Sequence, residues 1–463
     1  MYVVTMSLSS TLRNQGNEFF RQASRLDIDC SPKQARDLFE RALTCYYRAK
    51  DKSNSREDEC SAAKNIGKAA WRIAKVLTKS GEKPQTIIFY LHEAIKGLCT
   101  AYNNSERCKD PEWRGELFGT ISVCLQEVID AAEAFGDADQ KIAQLEKLVI
   151  ITTVNEALPD IQMKLATSYF HDGTTKLQNG DYKKCLSRMK DCYRPIEEVK
   201  HLSRHYGGDL KYELLEEAGI LEKDVFYHTC AASAFQARVQ GDELLQTALK
   251  EQEELDMTLI FEVIDWYKQA VVLAREVEIE QEAIAESRLG VVYDRVLRMT
   301  LRAKAYFTHS FELAESLKPR VFTSQDWYKD CITTLKKYQD EARQRDEEEQ
   351  QKARAAFLEE LSEELAEIRS HKTRAADLIK HVYSNYPPKH PSWQRPSDED
   401  MKTWGEMESD SRDYKKLLLK ALGFYHPDKV DEKIHGMKWK ILCGEITKML
   451  NDHYEGTKLG SRD

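Results

Sequence analysis

Chain breakers are in short supply: glycine (20) and proline (11) are scarce for 463 residues, so few positions can end a helix, turn sharply or bulge a strand. Leu, Glu, Lys, Ala and Gln fill the space, and these residues cost a helix least. An all-α chain follows. A basic excess is also missing. The formal net charge is -9 and the pI near 5.9, whereas a general phosphate-binding surface needs the opposite sign, so no nucleic-acid partner is expected. No apolar run approaches the roughly 18 residues of a membrane span, and MYVVTMSLSSTLRN has neither the basic start nor the apolar stretch of a leader. A soluble, cytoplasmic protein is expected. The eleven cysteines never stand in C-x-x-C spacing and mostly fall within helical patterns, which reads as reduced core thiols and not as disulfides or zinc ligands.

Enzyme signatures are absent as well. There is no G-x-x-x-x-G-K-[ST], no H-E-x-x-H and no G-x-S-x-G. The twelve histidines are dispersed, and His92, His201, His205 and His309 lie in helical contexts without ligand spacing. No catalysis, cofactor or metal is expected. The apolar share, 41%, is ample for cores, and the length exceeds what one compact core holds, so two or three domains or an extended repeat array is the starting expectation.

From about Ser9 to Tyr338 the chain is a succession of amphipathic helical segments with small residues where two helices must approach closely. The clearest stretch is SYFHDGTTKLQNGDYKKCLSRMKDCYRP. Gly173 is followed at twelve, sixteen and nineteen residues by Cys185, Met189 and Cys192, the turn Asn179-Gly180-Asp181-Tyr182 lies between, and Pro195 comes near the end. That spacing resembles a tetratricopeptide repeat. A second copy runs through LRNQGNEFF (Gly16, Phe19) and ARDLFERAL (Ala35, Phe39, Ala42), with an insertion around Ser31-Pro32. Weaker copies are LGVVYDRVL (Leu289, Gly290, Tyr293) with AKAYFTHSF, and NIGKAAWRI with IIFYLHEAI. The irregular period predicts a degenerate helical-hairpin solenoid over 1–338 with three to five recognisable repeats. An unrelated helical bundle is the plainer alternative.

A composition shift follows. QDEARQRDEEEQQKARAAFLEELSEELAEIRSHKTRAA has almost no glycine or proline and abundant mixed charge, which i, i+4 pairs can hold as a solvated helix. It is read as a charged helical linker over 339–371, whose one apolar stripe (Phe357, Leu358, Leu361, Leu365, Ile368) can pack on either neighbour.

The last 90 or so residues are more specific. In DYKKLLLKALGFYHPDKVDEKIHGMKWKILCGEITKMLNDHYE, Tyr414, Leu417, Leu418, Ala421 and Leu422 form an apolar face while Lys415, Lys416 and Lys420 crowd the rest. His426-Pro427-Asp428 and Lys429 follow, then a polar loop and a helix carrying Trp439, Ile446, Leu450, Asn451 and Tyr454. Upstream, RAADLIKHVYSNYPP supplies another helix, and a polar loop runs through Trp393 and Trp404. This order resembles the J domain, most closely the auxilin type, over 372–456, with a tail at 457–463. The resemblance implies a three- to four-helix domain that stimulates the ATPase of a cytosolic DnaK-type heat-shock chaperone. In that family the basic helix docks on the chaperone's acidic surface and the tripeptide reaches the contact between its two domains. Asp428 would then accept from a partner arginine, His426 would donate to partner backbone, and Pro427 would fix the loop. One departure stands out: the family often has two adjacent basic residues six and seven positions before the histidine, where this chain has Lys420 but Leu419.

The repeats are expected to hold a protein client or adaptor. Arg13, Gly16, Asn17 and Phe19, with Asn65 in the next hairpin, resemble the carboxylate clamp by which chaperone-binding repeats grip the C-terminal carboxylate of a heat-shock protein. The lysine and arginine such a clamp needs in a third hairpin are not found in EWRGELFGTISVCLQEV, so Arg13 and Asn17 as ordinary exposed helix residues is the competing reading. Two other functions compete with the co-chaperone: a scaffold without chaperone coupling, and auxilin-like clathrin uncoating, for which no L-L-D-L run or repeated D-L-L is present.

Overall fold

The computed structural model describes residues 7–205, 209–250, 256–408 and 411–459, and among the described residues every regular element is helical. None of these helices is long and apolar enough to cross a membrane. The chain divides into two units, Met1–Thr333 and Thr334–Asp463.

The first unit contains α1 (Leu8–Arg25), α2 (Pro32–Asp51), α3 (Arg56–Lys79), α4 (Pro84–Asn104), α5 (Pro111–Glu133) and α6 (Ala138–Ile151). It continues with α7 (Leu158–Gln178), α8 (Tyr182–His205), α9 (Asp209–Lys250), α10 (Met257–Ala274), α11 (Ile279–Val291) and α12 (Thr300–Ser316). The scarce prolines are spent on helix starts: α2, α4 and α5 each open with one, where the missing N–H has no intrahelical partner to lose. Ser7, Ser55, Asp110 and Asp137 cap their helices by accepting from a backbone N–H three residues on. Sequence neighbours joined by short turns pack on each other, α1 on α2, α3 on α4, α7 on α8, α9 on α10 and α11 on α12. The unit is therefore a helical-hairpin repeat array.

Small residues set these contacts, as the spacing predicts. A β-carbon at Gly173 would stand 2.7 Å from the Met189 methyl, and one at Gly97 would stand 2.8 Å from the backbone nitrogen of Gly67, so α3 and α4 meet backbone to backbone. Gly290 seats the ring of Phe307 and Gly16 that of Tyr46 in the same way. A further hairpin, α9 with α10, uses Gly241 against Tyr267. Pro195 departs from expectation: it lies inside α8, buried, and the helix continues to His205. Most cysteines are buried free thiols, and burial pushes Cys99, Cys185 and Cys331 up to about 11, which leaves them protonated and unreactive near neutral pH.

The division between units falls within α13 (Asp326–Glu360). After it come α14 (Ser362–Ser370), α15 (Ala375–Asn385), α16 (Asp398–Thr403), α17 (Arg412–Tyr425) and α18 (Glu432–Leu459). Residues 342–356 form an exposed charged helix, with Arg343 reaching toward both Asp340 and Glu347. The spacer reading of 339–371 does not hold for its second half. Leu361, Leu365 and Ile368 share one core with Leu378, Ile379 and Val382 of α15, Leu418 and Ala421 of α17, and Ile446 and Leu450 of α18. Spacings of four and three put them on one helical face, and that face packs on the C-terminal neighbour.

The polar loop before α17 is also partly core. Trp404 is buried and Trp393 half-buried, each edge-on to Tyr383 at ring separations of 6.0 and 5.9 Å. α18 is interrupted at Gly436, whose φ of 80° suits glycine alone, so its first turn is set off from the long helix that follows. Residues 457–459 continue α18, and 460–463 of the expected tail lie outside the described residues.

Candidate functional site

The His-Pro-Asp turn follows directly on the last residue of α17. Ser411 caps that helix, accepting from the Tyr414 N–H. Tyr414, Leu418, Ala421 and Tyr425 face inward at helical spacing, which turns Lys416 and Lys420 to solvent on the opposite face and leaves Lys415 half-buried at the flank. Leu419, at the position where the J-domain family often has a basic residue, is itself 50% exposed. Lys416 reaches Asp413 at 3.2 Å, a solvent-screened pair that leaves the cation available.

Tyr425 is the anchor. Its side chain is fully buried, and its hydroxyl lies 2.7 Å from the Tyr386 carbonyl and 3.0 Å from that of Val382, tying α17 to the end of α15. The Tyr425 carbonyl in turn accepts from the Thr447 hydroxyl of α18 at 2.8 Å. Three helices therefore hold the residue just before the tripeptide. Beyond it the chain turns outward: Pro427 opens a short 3-10 turn closed by the Lys429 N–H on the His426 carbonyl at 2.9 Å. His426 is half-exposed and Asp428 almost fully so, at 50% and 86%. The His426 Nδ1 accepts from the Asp428 N–H at 3.3 Å, which assigns the proton of the neutral ring to Nε2 and directs its donor away from the turn. Lys429 is exposed beside them.

The turn can thus offer one N–H donor, one unburied carboxylate and cations from two directions to a partner. Among the described residues no cluster of three His, Cys, Asp or Glu side chains is placed to hold a metal ion. A cavity of about 510 Å3 lies alongside, between Gln350 and Arg354 of α13, His426 and Pro427, and Met437 to Lys448 of α18. Arg354 closes part of it by pairing with Glu445 at 3.2 Å. Burial works against the Glu445 charge, but Lys448 and Arg354 outweigh it and hold the carboxyl below its ordinary range. Sequence reading passed over Tyr425, Thr447 and Glu445.

The clamp candidates are arranged differently. Arg13 meets Asp58 of α3 at 2.5 Å, and Asp58 also accepts from the Ser7 hydroxyl at 3.0 Å. Asn17 and Asn65 do come together: the Asn17 Oδ1 accepts from the Tyr46 hydroxyl at 2.8 Å and from the Asn65 Nδ2 at 3.2 Å. Beside Asn65, Lys64 stacks on the Trp113 ring at 4.6 Å, and burial together with Lys68 lowers its pKa. Asn17 is satisfied within the fold, and Arg13 pairs through one terminal nitrogen with Asp58 while its buried Nε has no partner.

No protein-family model matches the chain, and no curated protein matches it. Among solved structures, a circular tandem repeat protein with a novel repeat topology is 12% identical and covers 98% of this chain and 90% of its own, with a TM-score of 0.24. The C-terminal part of a TPR repeat-containing protein from Cytophaga hutchinsonii is 15% identical and covers 71% of this chain and 98% of its own, with a TM-score of 0.17. Both are repeat proteins by name. Likenesses at these scores carry no conclusion about activity or partner.

Proposed function

We propose that the chain is a co-chaperone that stimulates ATP hydrolysis by a cytosolic DnaK-type heat-shock chaperone through a J-like C-terminal unit, while its hairpin repeats recruit a protein client or adaptor. The observation that carries this reading is the combination at the end of α17: an exposed His426-Pro427-Asp428 turn immediately follows a buried tyrosine fixed to α15 and α18, on a helix whose outer face bears Lys416 and Lys420. Two exposed lysines one helical turn apart give long-range attraction and register toward an acidic surface. The turn then supplies directional contacts, with the His426 Nε2–H to a carbonyl and Asp428 to a guanidinium. Such contacts shift an equilibrium in the partner and need no bond-making on this chain.

Full-length protein with His426→Gln tests it. The glutamine keeps a side-chain donor but not the rigid aromatic ring that aims it, and the turn is exposed, so the fold is expected to survive. Single-turnover ATP hydrolysis by the chaperone should return to its unstimulated rate with an unchanged circular dichroism melt. Stimulation equal to wild type by the variant would remove the tripeptide from the mechanism, and a chain that never stimulates would leave a scaffold in its place.

A further inference from the structure

The repeat unit carries an acidic groove that no residue of the C-terminal turn lines. It is a cavity of about 680 Å3 opening where the end of α4, α5, the start of α7 and the start of α9 meet. Phe118, Leu125 and Ile129 of α5, with Ile161 and Leu214, supply an apolar floor. Phe118, Ile129 and Leu214 pack on the hydrophobic core yet remain partly exposed toward the opening. Around this floor stand three glutamates, Glu156, Glu213 and Glu217, with Asp160 beside them, and among the described residues no lysine or arginine lines the cavity. The guanidinium of Arg114 stacks on Tyr102 in the wall at 4.8 Å, and among the described residues that one cation against three glutamates leaves the opening acidic.

Each feature narrows the ligand. Three glutamates repel phosphate, so a nucleic acid or an anionic lipid surface is disfavoured. The apolar floor gives nothing to a purely hydrophilic polyamine and rewards buried aliphatic side chains instead. The ring of Phe118, 5.9 Å from that of Tyr102, adds a π face for an ammonium or guanidinium group. We infer that this groove docks a partner protein's segment in which basic and apolar side chains alternate, the apolar ones on the floor of α5 and the basic ones against the turn before α7 and against α9. The charge preference is opposite to that of a carboxylate clamp. The groove lies within the repeat unit, and the inference stands whether or not the C-terminal turn engages a chaperone.

Fluorescence anisotropy of the full chain with two labelled synthetic peptides, one alternating Leu and Lys and the other Leu and Glu, tests it without any chaperone present. The Leu-Lys peptide should bind and the Leu-Glu peptide should not. Reversing the exposed pair, E213K with E217K, should weaken Leu-Lys binding about tenfold or more, whereas E243K with E262K, equally exposed but outside the groove, should change it less than about twofold. Phe118→Ala should also weaken binding, which general charge attraction would not produce. Equal binding of the two peptides, equal effects of the two charge reversals, or affinity untouched by Phe118→Ala would each overturn the proposal.

Discussion

The clamp candidates of α1 and the tripeptide after α17 look alike in sequence, each a few polar residues on or beside a helix, and the fold uses them in opposite ways. Arg13 finds Asp58, and Asn17 finds Tyr46 and Asn65, so these polar groups hold hairpins together. At the C-terminal site Tyr425 makes the internal contacts, and His426 and Asp428 are left outside. A polar motif is available to a partner when a different residue does the structural work beside it. A related arrangement recurs in the acidic groove, where most of the apolar floor comes from α5 and the glutamates from the turn before α7 and from α9.

The largest effect that would break the comparison comes from the anchor. Tyr425→Ala empties a fully buried site and should cost about 3–5 kcal/mol, read as a lower denaturation midpoint of the C-terminal unit together with loss of chaperone stimulation. A midpoint like that of the wild type would mean that Tyr425 does not fix the turn. Acid should act next, on the repeat unit. Burial, with Lys147 nearby, pushes His92 down to about 4. The unfolded chain binds this proton below about pH 6.5 while the folded chain refuses it until about pH 4, so stability falls as pH drops through that window, by about 3 kcal/mol at most. Urea titrations at pH 7 and pH 4.5 should show the loss, and His92→Leu should flatten it.

Tyr425→Phe is a finer cut. It keeps the ring and removes the hydroxyl shared by two carbonyls, at a cost of about 1–2 kcal/mol, so stimulation should survive at low temperature and fail earlier on heating. The smallest effect belongs to α1. Arg13→Ala removes one partly exposed ion pair, worth about 1 kcal/mol or less, and combined with Asn17→Ala should leave the affinity for an EEVD-ended peptide unchanged. A marked loss of peptide binding would make these residues a clamp after all.

What was legible in the sequence follows from distance along the chain. Gly173 meets Cys185 and Met189 within one hairpin, so the spacing of small residues exposes the encounter, whereas Gly97, which meets Gly67 just beyond the segment IIFYLHEAI, was not read. Gly241 and Tyr267 meet in the same way, but the 42-residue α9 blurs the repeat boundary and the pair went unread. The stripe of Leu361, Leu365 and Ile368 announced a packed face without saying which neighbour would cover it. Tyr425 reaches carbonyls 43 and 39 residues back, and Arg13 an acid 45 residues ahead. Such pairs leave no periodic trace, which is why the tripeptide was visible and its support was not.

The most direct test of the account is single-turnover ATP hydrolysis by a DnaK-type chaperone in the presence of the full chain, wild type against Asp428→Asn. Asp428 is exposed and makes no side-chain contact that the fold depends on, so the variant should melt as the wild type does. The wild type should stimulate hydrolysis and the substitution should abolish that stimulation. Equal stimulation by both proteins, or none by either, would contradict the account.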